Sequence, residues 1–195
     1  INNYAGDDGA LAGQGPEFLA RRAAAYQAWY EHLPLRIEPP VDGNVTVHRD
    51  LSFGDLARLF VIETRQHADS PPCRDTSLAD MGPACEEMDE PDRTILGAAQ
   101  EEWLIPAMAE NTAFWQILAN PVIIAGLNIA AAGEPPAHFL ETWDGYPVER
   151  RRVVQAIADR RVRNPVVLTG DYHASFVNEV KVDPWDAASP MVAPE

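Results

Sequence analysis

Asn164-Pro165-Val166-Val167-Leu168-Thr169-Gly170-Asp171-Tyr172-His173 is the stretch on which the reading of this chain turns. A short apolar run ends at a glycine and is followed by a carboxylate and an imidazole. In α/β proteins ligands collect beyond the carboxyl ends of strands, where these two side chains would stand. Asp171 and His173 are two apart, so an extended backbone would project both to one side. A carboxylate with an imidazole is a mixed ligand set suited to a metal ion that activates water. On spacing alone the plainer reading has the stronger claim: Gly170-Asp171 closes a strand, and His173 is a surface or core histidine.

Working outward, a helix precedes this strand. Pro147 starts it, Val153, Val154, Ile157 and Ala158 form its inner face, and Arg150, Arg151 and Arg152 are expected mostly in solvent. The run Phe114–Ile124 reads as a central strand with Asn120-Pro121 at its end or as an interruption. Leu56–Ile62 reads as a buried strand with Arg65 just beyond it, and Val45–Arg49 and Leu51–Phe53 as extended. Arg65 has the planar fork that clamps two phosphoryl oxygens; a salt bridge to Glu63 or another acid is the even alternative.

Leu19, Ala23, Tyr26, Tyr30 and Leu33 predict the buried stripe of a helix that starts near Pro16 and ends at Pro34. A second helix over Gly97–Ala109 would be bent or broken at Pro106. Thr142-Trp143-Asp144-Gly145-Tyr146-Pro147 is an aromatic turn that would wall a pocket or cap a helix. Alternating residues from Ala174 to Val182 predict a last strand, followed by a turn-rich tail beyond Pro184. Helices alternate with strands throughout, so the class is α/β.

Composition bounds the function. The 195 residues, 46% apolar and 23% charged, are those of a globular chain with one sizeable core. A net charge of −15 argues against a nucleic-acid-binding surface and would repel anionic substrates unless bound cations invert the local field. No apolar run reaches the roughly 20 residues of a membrane span. Residues 68–93, rich in proline and acids, read as a surface insertion. Cys73 and Cys85 lie within it, twelve positions apart, and are not spaced as a zinc pair. A local disulfide is the preferred reading, and would stabilise by roughly 3 kcal/mol in an oxidising compartment.

Several separate stretches together resemble one family. They are Asn2-Asn3-Tyr4-Ala5-Gly6, the helix Phe18–His32, Thr64-Arg65-Gln66, Leu96–Leu104 with its Gly97-Ala98-Ala99-Gln100 core, Trp143–Pro147, and Leu168–Ser175. In this order they resemble the PhoD-like alkaline phosphatases, a metallophosphatase family, over nearly the whole chain. The resemblance implies a sandwich of mixed β-sheets flanked by helices, of which 1–195 would be the C-terminal part of a single domain. It implies metal-dependent hydrolysis of phosphate esters, monoesters and often diesters, with calcium and iron as cofactors. It further implies a small phosphate-ester substrate, a monomer, and secretion or periplasmic location through a twin-arginine signal upstream of Ile1.

By position, Asp171, His173, Asn2 and Asn3 look like metal-site residues, and Arg65 and His173 like catalytic ones. Arg65, Trp143, Asp144 and Tyr146 are the substrate-binding candidates. The chain departs from the family pattern at Glu63-Thr64-Arg65-Gln66-His67-Ala68, where the family reads Asp-Thr-Arg-Gln-Tyr/Phe-Arg. The Asp-Asp-His-Glu stretch expected before Asn2 is absent, so the sequence resembles an internal fragment that is incomplete and inactive alone. A phospholipase D-type phosphodiesterase and a non-catalytic calcium-stabilised module are the alternative readings.

Overall fold

A computed structural model describes residues 3–9, 15–74 and 81–195. Its centre is a four-stranded sheet of β1 (Arg49–Phe53), β2 (Ala57–Val61), β4 (Trp115–Asn120) and β6 (Pro165–Thr169), in the order β1-β2-β4-β6. The β1–β2 pair is an antiparallel hairpin, whereas β2, β4 and β6 run parallel with Phe60, Leu118 and Val167 in register. The parallel strands therefore finish together, at Val61, Asn120 and Thr169. This common edge carries the site.

The row Phe60, Leu118 and Val167 faces α2 (Ala98–Glu110) and α3 (Pro147–Asp159), and joins Leu104, Met108, Val153, Val154 and Ile157 in the main core. The opposite face presents Leu59, Ile117 and Val166, partly buried, and Leu168, 57% exposed. Beside β6 lies a hairpin of β7 (Glu179–Lys181) and β8 (Met191–Pro194), which adds Val180 and Ala193 to the core. Among the described residues no helix is long and apolar enough to cross a membrane.

Local predictions hold unevenly. The α3 inner face and β6 lie where the pattern places them, and α2 continues through Pro106 without a break. In α1 (Gly15–His32), however, Phe18 and Arg22 are the buried residues, while Leu19 and Leu33 are exposed. Arg22 is drawn inward because it donates to the Gly6 carbonyl (2.6 Å) and Asn44 Oδ1 (2.8 Å). Val45–His48 is not a strand, because the Gln66 side-chain amide occupies the Val45 backbone, donating to its carbonyl and accepting from its N–H, each at 3.0 Å.

Arg150 is buried rather than solvated, since it donates to the carbonyls of Ile124, Lys181 and Val182 and ties α3 to the last hairpin. The expected strand from Ala174 contracts to β7, and the tail supplies its partner. Residues 68–93 do more than loop over the surface. Cys73 and Cys85 form a disulfide there, β3 (Met81–Gly82) pairs with β5 (His138–Phe139), and a 3-10 turn over Glu86–Asp89 buries Met88.

Candidate active site

At the strand ends, side chains lock the backbone in place. Gln100, buried on α2, donates to the Glu63 carbonyl (2.7 Å) and accepts from the Glu63 N–H (2.8 Å). Glu63 in turn accepts from the N–H groups of Arg65 and Gln66 at 2.5 Å each. Burial pushes the Glu63 carboxyl above the usual range. The turn after β2 is thus fixed at both ends, and the Arg65 side chain is aimed by it. Glu63 acts on the Arg65 backbone, while the guanidinium finds other partners.

Arg65 Nη1 donates to Glu141 Oε2 at 2.9 Å, and its Nη2 stands 3.5 Å from Asp171 Oδ2. The other Glu141 oxygen accepts from Asn3 Nδ2 at 2.8 Å. Asn3, Arg65, Glu141 and Asp171 are therefore brought together from four distant parts of the chain. Asn2 lies outside the described residues. Glu141 was not singled out by the sequence analysis; an acid next to Trp143-Asp144-Gly145 was its only signal.

Beyond β6 the chain turns sharply instead of extending. Asp171 (φ 67°) and His173 (φ 61°) adopt left-handed backbone conformations, as does Asn3 (φ 50°). Asp and His are among the few residue types that tolerate this region, and such residues cluster at functional sites. The premise of an extended backbone is thus corrected, yet both side chains still border the same clefts. One, of about 260 Å³, is walled by Phe139, Glu141 and Thr142; the other, of about 440 Å³, continues towards Phe176 and Glu195. Tyr172 lies between the rings of Phe139 (5.5 Å) and Phe176 (4.7 Å), edge to face with both.

Trp143, Asp144 and Tyr146, the substrate-binding candidates, do not line these two clefts; Trp143 and Asp144 border a separate one with His138 and Trp185. All three are buried, and their polar atoms are committed to the interior. Trp143 donates to Asn120 Oδ1 (3.1 Å), Asp144 accepts from the Leu127 N–H (3.1 Å), and the Tyr146 hydroxyl donates to the Asp69 carbonyl (2.6 Å). Burial raises the Tyr146 hydroxyl pKa, so it remains a donor. The turn explains its glycine as well: a Cβ on Gly145 would sit 1.9 Å from the Leu140 carbonyl oxygen. These residues hold the wall that carries Glu141.

The arrangement is one of a mixed sheet flanked by helices, with an arginine, two carboxylates and an imidazole gathered at the ends of its parallel strands. This is the α/β sandwich architecture of a metallophosphatase, seen in part. A family model for PhoD-like phosphatase matches residues 1–195, and the chain belongs to that family. It is 39% identical over 183 residues to alkaline phosphatase D of Bacillus subtilis (strain 168), covering 93% of this chain and 30% of that protein. A solved structure titled "Structure of PhoD" is 38% identical with a TM-score of 0.89, over 99% of this chain and 36% of that one. The chain thus spans about a third of the length of these relatives.

Proposed function

We propose that the complete protein hydrolyses phosphate esters with bound metal ions, and that Arg65, Glu141, Asp171 and His173 are this chain's share of the site. The observation that carries the reading is the Arg65 guanidinium, gripped by Glu141 and facing Asp171 at the common end of the parallel strands. A single domain extending beyond this chain is part of the same proposal. The half-open sheet face of Leu59, Ile117, Val166 and Leu168 supports it.

The donors fit the implied metals in kind. The Asp171 carboxylate is 54% exposed, and His173 is exposed beside the same clefts. Carboxylate oxygen suits calcium, and imidazole suits iron. Among the described residues no group of three or more His, Cys, Asp and Glu is assembled, so in this reading Asp171 and His173 would need further ligands. Asp171 and His173 would hold the ions, with the Asn3 amide beside them. When bound, such ions lower the pKa of a coordinated water and polarise the phosphoryl oxygens.

Arg65 is held between two carboxylates. Glu141 fixes one edge of its guanidinium, and the Nη2 edge lies on the Asp171 side. A cation held there offsets the charge on a phosphoryl group and keeps it oriented while the leaving oxygen departs. It also counters the repulsion that a protein of net charge −15 exerts on an anion. The Cys73–Cys85 disulfide supports an oxidising, extracytoplasmic location.

The test is Arg65→Lys in the full-length protein, assayed with 4-nitrophenyl phosphate and its bis-ester in calcium-containing buffer. A lysine cannot meet Glu141 and still present a second N–H edge, so kcat/KM should fall about a hundredfold. An unchanged value on both esters would refute the reading.

A further inference from the structure

Glu141 is held from behind by a second, smaller core. Cys73, Met88 and Leu140 form a hydrophobic cluster separate from the main one, with Cys85 packed against it. Leu140 is fully buried in that cluster and immediately precedes Glu141. The same cysteine-bearing stretch meets this wall again through β3 and β5, where Met81 pairs with Phe139 and Gly82 with His138. Gly82 lies three residues from Cys85. The two flanks of Glu141 are therefore tied to different things: Leu140 to the disulfide cluster, and Thr142 to its own turn, where its hydroxyl donates to the Phe139 carbonyl at 2.8 Å.

The disulfide is seated firmly enough to act as an anchor. The Cys73 N–H donates to Glu87 Oε2 at 2.9 Å. Arg93, itself buried, ion-pairs with Glu87 and donates to the Ser70 carbonyl at 2.7 Å. Cys73 has φ 60°, a conformation that a non-glycine residue keeps only where its surroundings impose it. Among the described residues, this stretch is tied to the wall by the two-residue β3–β5 ladder, apolar packing around Leu140 and the Tyr146–Asp69 hydrogen bond, and without the covalent link it would loosen locally. Leu140 and the adjacent Glu141 would shift with it. The main core, built on α2, α3 and the sheet, would remain.

We propose that Cys73 and Cys85 are positioning residues for the active site: their disulfide, acting through Leu140 and the β3–β5 ladder, holds Glu141 where it grips Arg65 and Asn3. The proposal rests on the reading that Arg65 and Glu141 serve the reaction. It differs from an ordinary stabilising disulfide in one measurable way. Its effect on rate passes through Glu141, and should vanish when Glu141 can no longer anchor the guanidinium.

Full-length protein in calcium-containing buffer, with 4-nitrophenyl phosphate as probe, tests this in a four-member cycle. The members are wild type, Cys73→Ser/Cys85→Ser, Glu141→Gln, and the three changes combined. Misplacing an anchoring group by a fraction of an ångström should lower kcat/KM about tenfold in the serine pair, and losing its charge about a hundredfold in Glu141→Gln. The combined variant should match Glu141→Gln within about twofold, as expected of residues that act as a unit. A combined loss equal to the product of the two, or a serine pair with wild-type rate, overturns the proposal alone. A wild-type rate for Glu141→Gln refutes the site reading as well. Should the serine pair not fold, as judged by near-UV circular dichroism, Leu140→Ala with the disulfide intact takes its place in the same cycle, and the same non-additivity is required.

Discussion

Arg65 stands between two carboxylates, Glu141 and Asp171, that reach it from distant parts of the chain. Its value as a phosphoryl clamp follows from its type, and the sequence left its partner open between Glu63 and other acids. In the structure the acids have separate roles. Glu63 caps the backbone of the turn, and Glu141 and Asp171 face the guanidinium. Glu141 escaped notice because its partners lie 76 and 138 positions away, a separation that no local pattern encodes. Asp171 and His173 stand out in the sequence by their chemistry, whereas the left-handed backbone that places them at the clefts does not.

A second carboxylate gives a prediction at this scale. Glu149 is fully buried and accepts from Thr94 Oγ1 and the Ile95 N–H, and burial lifts its carboxyl from 4.5 to about 7. The folded state therefore keeps a proton that the unfolded chain releases. The contribution of this group to stability is fully present below pH 4.5, is lost as pH rises through 7, and changes no further above it. Urea unfolding at pH 5 and pH 8 should show a wild-type decline exceeding that of Glu149→Gln by roughly 2–3 kcal/mol. Equal declines would place the carboxyl near its ordinary value.

At the scale of elements, period and punctuation located most of the frame. Val153, Val154 and Ile157 recur at helical spacing and are buried, and the apolar run before Gly170 is β6. Failures came where polar side chains overrode hydrophobic pattern. Arg22 and Arg150 are buried because carbonyl oxygens await them, and the Gln66 amide replaces a strand partner at Val45. The Trp143–Tyr146 turn has the same composition whether it lines a pocket or stands behind one, so its place in the fold is not legible locally.

Two stability predictions follow from this. Gly145→Ala forces a Cβ into a backbone oxygen that cannot yield, so it should cost at least about 3 kcal/mol by chemical denaturation. Arg150→Met removes the donor to three inward carbonyls and should cost about 2–4 kcal/mol, since buried acceptors are left without partners. Near wild-type midpoints for either would mean that the wall relaxes more than its packing implies.

Across the whole molecule, several motif residues that carry the family resemblance act as internal fasteners. Gln66, Gln100, Trp143 and Tyr146 join strand ends, helix and turn, and so set the few groups that face the cleft. Their wide spacing in sequence explains why the family was legible while the site geometry was not: each fastener marks a place in the fold, but not which neighbour it meets. The half-open sheet face belongs to this scale too. The isolated 195-residue chain should bind the dye ANS at this face, and the full-length protein should not.

In the proposed function, the ends of the parallel strands contribute Asp171 and His173 to a metal-assisted phosphoesterase site. Full-length wild type, Asp171→Asn and His173→Ala should be compared for bound calcium and iron by elemental analysis and for 4-nitrophenyl phosphate hydrolysis. Each variant should lose metal, and kcat/KM should fall by at least about a hundredfold. Wild-type metal content and rate in both variants would contradict the proposed function.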